Sequence, residues 1–467
     1  MTDRLSNADV TRRTFLQAAS LTAVAAASGC ATSTAGQTGH KPTRRAARNV
    51  IFMCADGMSI GTLTLADLVL KEQHGRRAAW LELLEIAGTR RALATTYSAD
   101  SWVTDSAAGG CAWSIGQHVN NGTINLTPDG QMLSPIHVRA KARGLSTGLV
   151  TTTTVTHATP ASFVANVPDR NLEIAIAEQI LQRGIDVCFG GGARFFSDPL
   201  LAAHPQVSVH KALPDLSTAS AGSRHLGLFT DSHMPYVLDR DGTIPSLGAM
   251  TTTALGHLAR NPDGFLLQVE GGRVDHAAHA NDAAALVAEQ IDYDDALRAA
   301  MEFTLGRDDT LLITTSDHGN ANPGLTAYAS KDGGWIERLT GANSSMEPVW
   351  PKLAEAAENN TLGELIAHTT GGYQMSQEDT AYLRSGLLDS IRTDPYLVRS
   401  QNRASLLGSM LSNYHSVGFM SPHHTSDMVE VAAIGPGAEL IEPVIDNIDL
   451  HSVMQRVLHL DDAAPMA

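Results

Sequence analysis

The chain reads as an α/β protein: a mostly parallel central sheet flanked by helices on both faces, with an inserted region over its site. Three observations predict this. Short, nearly continuous apolar runs recur at 49–55, 265–269 and 309–315, which is the length and character of strands buried on both faces. These runs alternate with helix-length stretches, the pattern of parallel strands joined by crossovers. Acids stand where the runs end, in Asp56-Gly57, Glu270-Gly271-Gly272 and Asp317-His318, and open α/β sheets collect ligands at the carboxyl ends of their strands.

Residues 1–46 read as targeting sequence. Arg12-Arg13, within Thr11–Gln17, form a twin-arginine pattern, followed by an alanine-rich apolar stretch over 18–27. That stretch is too short and too weakly apolar to span a bilayer. Ser28-Gly29-Cys30 resembles a lipoprotein cleavage box, with Ala27 where leucine is usual; a plain signal peptide cut nearby is the alternative. Residues 1–30 are thus read as a twin-arginine signal with a lipobox and 31–46 as a flexible tether. The expectation is export by the twin-arginine route to the periplasm or cell surface. Membrane contact would come only through a lipid on Cys30.

The first buried strand, 49–55, ends in Asp56-Gly57-Met58 and leads into a helix. Thr104-Asp105-Ser106-Ala107-Ala108 follows, a hydroxyl among small residues before a helix-forming stretch. A helix N-terminus there would favour an anion. The next strand, 146–151, precedes Thr156-His157-Ala158-Thr159-Pro160, and Arg170 lies near the start of a helix over 172–182. A guanidinium in that position can fork onto two phosphate oxygens. Strands over 185–189 and 226–229 and a helix over 246–259 lead to 264–282, where Asp275 and His279 share one helix face by their spacing of four. The alanine-rich 282–304 is the clearest helix. Strand 309–315 runs into Ser316-Asp317-His318-Gly319, and His423-His424-Thr425 precede a last strand at 429–434 and a closing helix at 446–459. Residues 320–415, rich in Asn, Ser, Gly and Trp, break the alternation and read as an insertion within one large domain, 47–460.

The 467 residues, 43% of them hydrophobic, are enough for one such domain with its insertion. A net charge of −16 argues against nucleic acid as a partner and suits cations. Cys54, Cys111 and Cys188 sit in apolar contexts and lack Cys-x-x-Cys spacing. They read as buried thiols, and thiolate zinc is not expected.

Asp56, Ser106, Thr159, Glu270, Asp275, His279, Asp317, His318 and His424 are hard or borderline ligands, almost all at strand ends. They are too many for one ion. Three ions a few ångströms apart would use them, and a pair about 4 Å apart would clamp a phosphoryl group during in-line displacement. The motifs Asp56-Gly57, Asp105-Ser106-Ala107, His157-Ala158-Thr159-Pro160 with Arg170, Glu270-Gly-x-x-x-Asp275-x-x-x-His279, Asp317-His318 and His424-Thr425 resemble, in order and spacing, the metal-dependent, serine-nucleophile bacterial alkaline phosphatases. The resemblance covers 47–460. It implies zinc on Asp275, His279 and His424, and a second zinc on Asp56, Asp317 and His318. It implies a third ion, usually magnesium, on Asp56, Thr159 and Glu270. Ser106 would be the nucleophile and would also face the metals; Arg170 would bind phosphate, and phosphate monoesters would be the substrates. A homodimer is compatible with it.

The pattern departs from the best-known enterobacterial one at two positions. His157 stands where that pattern has Asp, and His276 where it has Lys. His157 could add a nitrogen to the third site and shift it toward zinc or cobalt, while His276 would contact phosphate through water. Three rival readings fit the residues less well. A phosphodiesterase of the same superfamily usually lacks an arginine in the role given to Arg170, and a non-catalytic, metal-loaded phosphate-binding lipoprotein would not need Ser106. A sulfatase needs x-Pro-x-Arg after its nucleophile, which Ala107-Ala108-Gly109 does not supply.

Overall fold

The computed structural model describes residues 47–326, 333–388 and 403–460, all within one compact unit, 44–467. The twin-arginine pair, Cys30 and the tether lie outside the described residues. Fourteen strands are found among those described. They are β1 (Asn49–Cys54), β2 (Arg90–Thr95), β3 (Ser146–Thr154), β4 (Val187–Gly191), β5 (Val207–His210), β6 (Arg224–Leu228), β7 (Phe265–Glu270), β8 (Thr310–Thr315), β9 (Gly319–Asn320), β10 (Gly324–Leu325), β11 (Val417–Gly418), β12 (His424–Thr425), β13 (Val429–Ile434) and β14 (Val444–Asp446).

Ten of them form one sheet in the order β14-β2-β13-β8-β1-β7-β3-β4-β6-β5. All neighbours are parallel except around β13, which runs antiparallel to both β2 and β8. The central strands β1, β3, β7 and β8 are buried along their whole length. Their side chains alternate between two cores. Phe52, Leu266 and Ile313 belong to one, and Ile51, Met53, Leu267 and Leu312 to the other. This is the period of two that a pleated strand imposes, with helices covering each face. The Ala283–Thr304 helix is capped by Asp282, whose Oδ1 accepts from Ala285 N at 3.1 Å. It packs on the Leu247–Leu258 helix.

Among the elements that differ from the sequence expectation are β3, the closing helix and β2. β3 continues to Thr154, because the hydroxyls of its final threonines find carboxylate partners: Thr151 and Thr153 on Glu270, Thr154 on Glu173. The first residue of the expected closing helix, Asp446, instead ends β14, which pairs in parallel with β2, and the helix runs Asp449–Val457. β2 itself gave no apolar run. It alternates outward Arg90, Arg91 and Leu93 with inward Ala92 and Ala94.

The stretch that interrupts the alternation starts and ends in paired strands. Asn320 pairs with His424, and Leu325 with Val417. Between them lie short helices, including Trp350–Glu358 and Leu362–Thr369. Their small core of Leu353, Ile366, Leu383, Leu407 and Leu411 is separate from those of the sheet. Cys54, Cys111 and Cys188 are buried.

Candidate active site

β7, β1 and β8 lie side by side, with Cys54 in register with Glu270 on one side and Thr315 on the other. Glu270 at the end of β7, Asp56 just past β1 and Asp317 just past β8 therefore emerge at one level. Gly57, at φ +67°, turns the chain there and donates from N to Asp317 Oδ1 at 3.0 Å. A Cβ at Gly57 would stand 2.5 Å from Asp275 Oδ1, so only glycine admits the approach of the Arg273–His279 helix.

Three sets of donors converge: Asp275, His279 and His424; Asp56, Asp317 and His318; Asp56, His157 and Glu270. Within each set the ligand atoms lie within 4.8 Å of one another. In the first, His279 Nδ1 faces Pro422 O at 2.7 Å and His424 Nδ1 faces Thr104 O at 2.8 Å. Carbonyl oxygens only accept, so both rings carry their proton on Nδ1. The two Nε2 lone pairs then face each other at 3.0 Å, with Asp275 at 3.3 and 3.4 Å. That arrangement calls for a positive charge between them. Burial opposes the His279 cation, yet Asp275 raises its pKa to about 9. Asn320 Nδ2 donates to Asp275 Oδ1 at 2.7 Å and fixes the carboxylate.

In the second set His318 Nε2 is 3.1 Å from Asp317 and 3.7 Å from Asp56. In the third, Glu270 Oε2 is occupied by the two threonines of β3, whereas Oε1 has no hydrogen-bond partner and faces His157 Nδ1, also without one, at 3.8 Å. Thr159 Oγ1 approaches Asp56 Oδ2 at 3.5 Å, and Asp56 Oδ1 has no partner. Burial, then Asp317, Asp275 and Glu270, push the Asp56 carboxyl well above its usual range. Four buried carboxylates with inward-facing atoms, faced by histidines and by neither lysine nor arginine, are costly in a dry interior. Cations with oxygen and imidazole ligands remove that cost, so the donor set fits metal ions.

Ser106 is the first residue of the Ser106–Ile115 helix and is 2% exposed. Its Oγ lies 3.3 Å from His318 Nε2. The N-cap is Asp105: Oδ1 accepts from Ala108 N at 2.9 Å, and Oδ2 accepts from Gly122 N at 3.0 Å and Arg170 Nη1 at 2.9 Å. One carboxylate thus sets both the helix start that presents Ser106 and the direction of Arg170. The backbone of Arg170 is held in turn by Gly122 O at 2.8 Å. Its Nη2 reaches His157 Nε2 at 3.1 Å.

His276 completes the group. Its Nδ1 accepts from Arg273 Nη1 at 2.7 Å, and its ring meets those of His157 and His233 edge-on at 5.5 and 4.7 Å. Burial and the Arg273 cation push its pKa well down. All twelve residues singled out in the sequence thus fall in one neighbourhood. Asp105, His233, Arg273 and Asn320 join them without having been singled out. Asp105 alone stood inside a recognised motif, where its N-cap position before Ser106 was a usable signal.

Known proteins resemble this chain over most of its length. A model of the alkaline phosphatase family matches residues 47–207 and 202–460. Alkaline phosphatase 4 of Bacillus subtilis is 30% identical over 428 residues, covering 88% of this chain and 88% of its own length. The alkaline phosphatase of Escherichia coli is 31% identical over 355 residues, 62% of this chain and 75% of its own. Among solved structures, Thermus thermophilus alkaline phosphatase superposes with a TM-score of 0.81 at 32% identity, covering 93% of this chain and 98% of that one. A cold-active alkaline phosphatase from Shewanella sp. gives 0.74 at 26% identity, covering 88% and 99%.

Proposed function

The chain belongs to the alkaline phosphatase family, and from that premise we propose that it hydrolyses phosphate monoesters through a covalent phosphoserine on Ser106, with two zinc ions and a third, magnesium-type ion. The observation that carries this reading is the position of Ser106 Oγ, 3.3 Å from His318 on a helix N-terminus, with Arg170 steered by the residue before it. Asp275, His279 and His424 would hold one zinc, and Asp56, Asp317 and His318 the other. Asp56, Thr159 and Glu270 would hold the third ion. His157 would add a nitrogen there that favours zinc or cobalt over magnesium.

Bound in these sets, the ions would supply positive charge that favours loss of the Ser106 proton, offsets charge on the departing oxygen and acidifies water. Ser106 Oγ forms the bond to phosphorus as the ester oxygen leaves, and water later breaks the phosphoserine. Arg170 keeps one Nη on Asp105 and directs the guanidinium at the phosphoryl oxygens. The helix dipole adds positive potential at the same point. His276 has spent Nδ1 on Arg273, so it offers the phosphate, or a water on it, only an Nε2–H donor. Chelation followed by dialysis should abolish turnover of p-nitrophenyl phosphate, and zinc should restore it; turnover that survives complete metal removal would overturn the reading.

Export by the twin-arginine route and anchoring through Cys30 complete the proposal, on the Arg12-Arg13 and Ser28-Gly29-Cys30 motifs. Lysine at 12 and 13 should strand the precursor in the cytoplasm. A mature N-terminus elsewhere than Cys30, without lipid, would refute the anchor.

A further inference from the structure

In-line displacement sends the leaving oxygen away from the nucleophile. Ser106 stands against His318 in the set built on Asp56, so the alcohol half of the ester departs toward the set of Asp275, His279 and His424. A cavity of about 380 Å³ opens beside His279, walled by Tyr236, Arg273, His276, Met346 and Trp350. That is enough room for a ring-bearing group.

The walls are built, not incidental. Arg273 is 2% exposed. It donates from Nη1 to His276 and from Nη2 to Glu347 Oε2 at 2.5 Å, and its guanidinium lies 3.8 Å over the Tyr236 ring. The inserted segment is pinned at three successive residues. Ser345 N donates to Asp239 Oδ1 at 3.0 Å, Met346 N to Asp282 Oδ2 at 2.7 Å, and Glu347 holds Arg273. Asp282 also caps the Ala283–Thr304 helix, so the segment is locked to the helix that follows the ligands. These ties fix Met346 and Trp350 beside His279. The lining is flat and aromatic on Trp350, apolar on Met346, and carries Asp282 and Glu347 beside Arg273. The Arg273 guanidinium and the Tyr236 ring stack on each other, which leaves the Trp350 face for a planar ring.

We infer that this cavity is the leaving-group subsite, and that it selects phosphate monoesters whose alcohol carries a planar ring, as a nucleoside does. The inference rests on the phosphomonoesterase reading above and adds a substrate class to it. It makes Trp350 a specificity residue in the inserted segment, outside the metal and phosphate machinery.

The test compares adenosine 5′-monophosphate with ribose 5-phosphate on the zinc-loaded enzyme. The two esters leave as similar primary alkoxides and differ in the base. Wild type should prefer the nucleotide in kcat/KM. Trp350→Ala should lower the ratio of the two by about tenfold, the scale of one lost aromatic contact, with phosphate inhibition and ribose 5-phosphate turnover unchanged. Trp350→Phe should keep most of the preference. A ratio that does not move in Trp350→Ala, whether both esters keep their rates or lose them together, overturns the subsite. Failure of wild type to cleave either ester when fully metal-loaded overturns the phosphomonoesterase reading instead.

Discussion

Arg170 Nη2 and His157 Nε2 lie 3.1 Å apart, and in that pair only the guanidinium can donate. His157 must therefore present a bare Nε2 and carry its proton on Nδ1, facing Glu270 Oε1 at 3.8 Å. Coordination of a cation by Nδ1 reverses this. The proton moves to Nε2, which can no longer accept from Arg170. The imidazole serves the third set or the arginine, but not both at once. An aspartate has acceptor oxygens for each. His157→Asp should raise the magnesium content and enlarge the gain in activity from added Mg²⁺. Metal analysis before and after magnesium loading checks this; identical content and response in mutant and wild type would remove His157 from the third set.

Arg170→Ala should weaken inhibition by phosphate and raise KM, by about 1.5–3 kcal/mol for a lost charged hydrogen-bonding group. Asp105 would keep its bonds from Ala108 and Gly122, so the helix start should survive. The inhibition constant for inorganic phosphate is the measurement, and an unchanged value would place Arg170 outside the phosphate site.

Ser106→Ala should lose at least about a thousandfold in kcat, since no other hydroxyl can replace the covalent step. Acid quenching of wild type with substrate, followed by peptide mass spectrometry, should place phosphate on Ser106. Phosphate on a different residue, or near-normal turnover in the mutant, would sink the assignment.

A pH effect on stability should arise at His137, which belongs to none of the three donor sets. His137 is fully buried. Its Nε2 donates to Leu266 O at 3.2 Å, and its Nδ1 has no partner. Burial lowers the pKa to about 4 from 6.5, outweighing the nearby carbonyls of Leu266, Phe163 and Gly148 that favour the cation. Above 6.5 the ring is neutral in both states and adds no pH dependence. Between 6.5 and about 4 the unfolded chain binds a proton that the folded one refuses, so stability falls as pH falls. The loss over that window is on the order of 3 kcal/mol. His137→Gln, which keeps a donor for Leu266, should flatten the fall in denaturant midpoint between pH 6.5 and 4.5. An unaltered slope would mean that His137 titrates normally.

Asp56, Glu270 and Asp317 were legible because each stands where an apolar run ends, and burial on both faces makes such runs continuous. The same logic hid β2, whose buried Ala92 and Ala94 alternate with exposed Arg91 and Leu93 and form neither a run nor a helix stripe, and the three-residue β14. His233 lies between elements without a motif, and only the folded chain brings it to His157 and His276. The Asp105–Arg170 pair spans 65 residues of sequence, a distance at which charge pairing leaves no local trace. In the interrupting stretch the small helical core was masked by short helices, each too brief to show a full periodic face.

The level ending of β7, β1 and β8 makes the site a gauge of how the chain has been threaded. A slip of one residue in β7 would turn Glu270 to the opposite side of the sheet, and a slip in β1 or β8 would withdraw Asp56 or Asp317 from its partners. A mispaired sheet could still bury much the same apolar area, because the central strands are apolar on both faces. It could not close three donor sets. Cation capture would therefore proofread the fold, holding correctly registered molecules and leaving near misses to unravel.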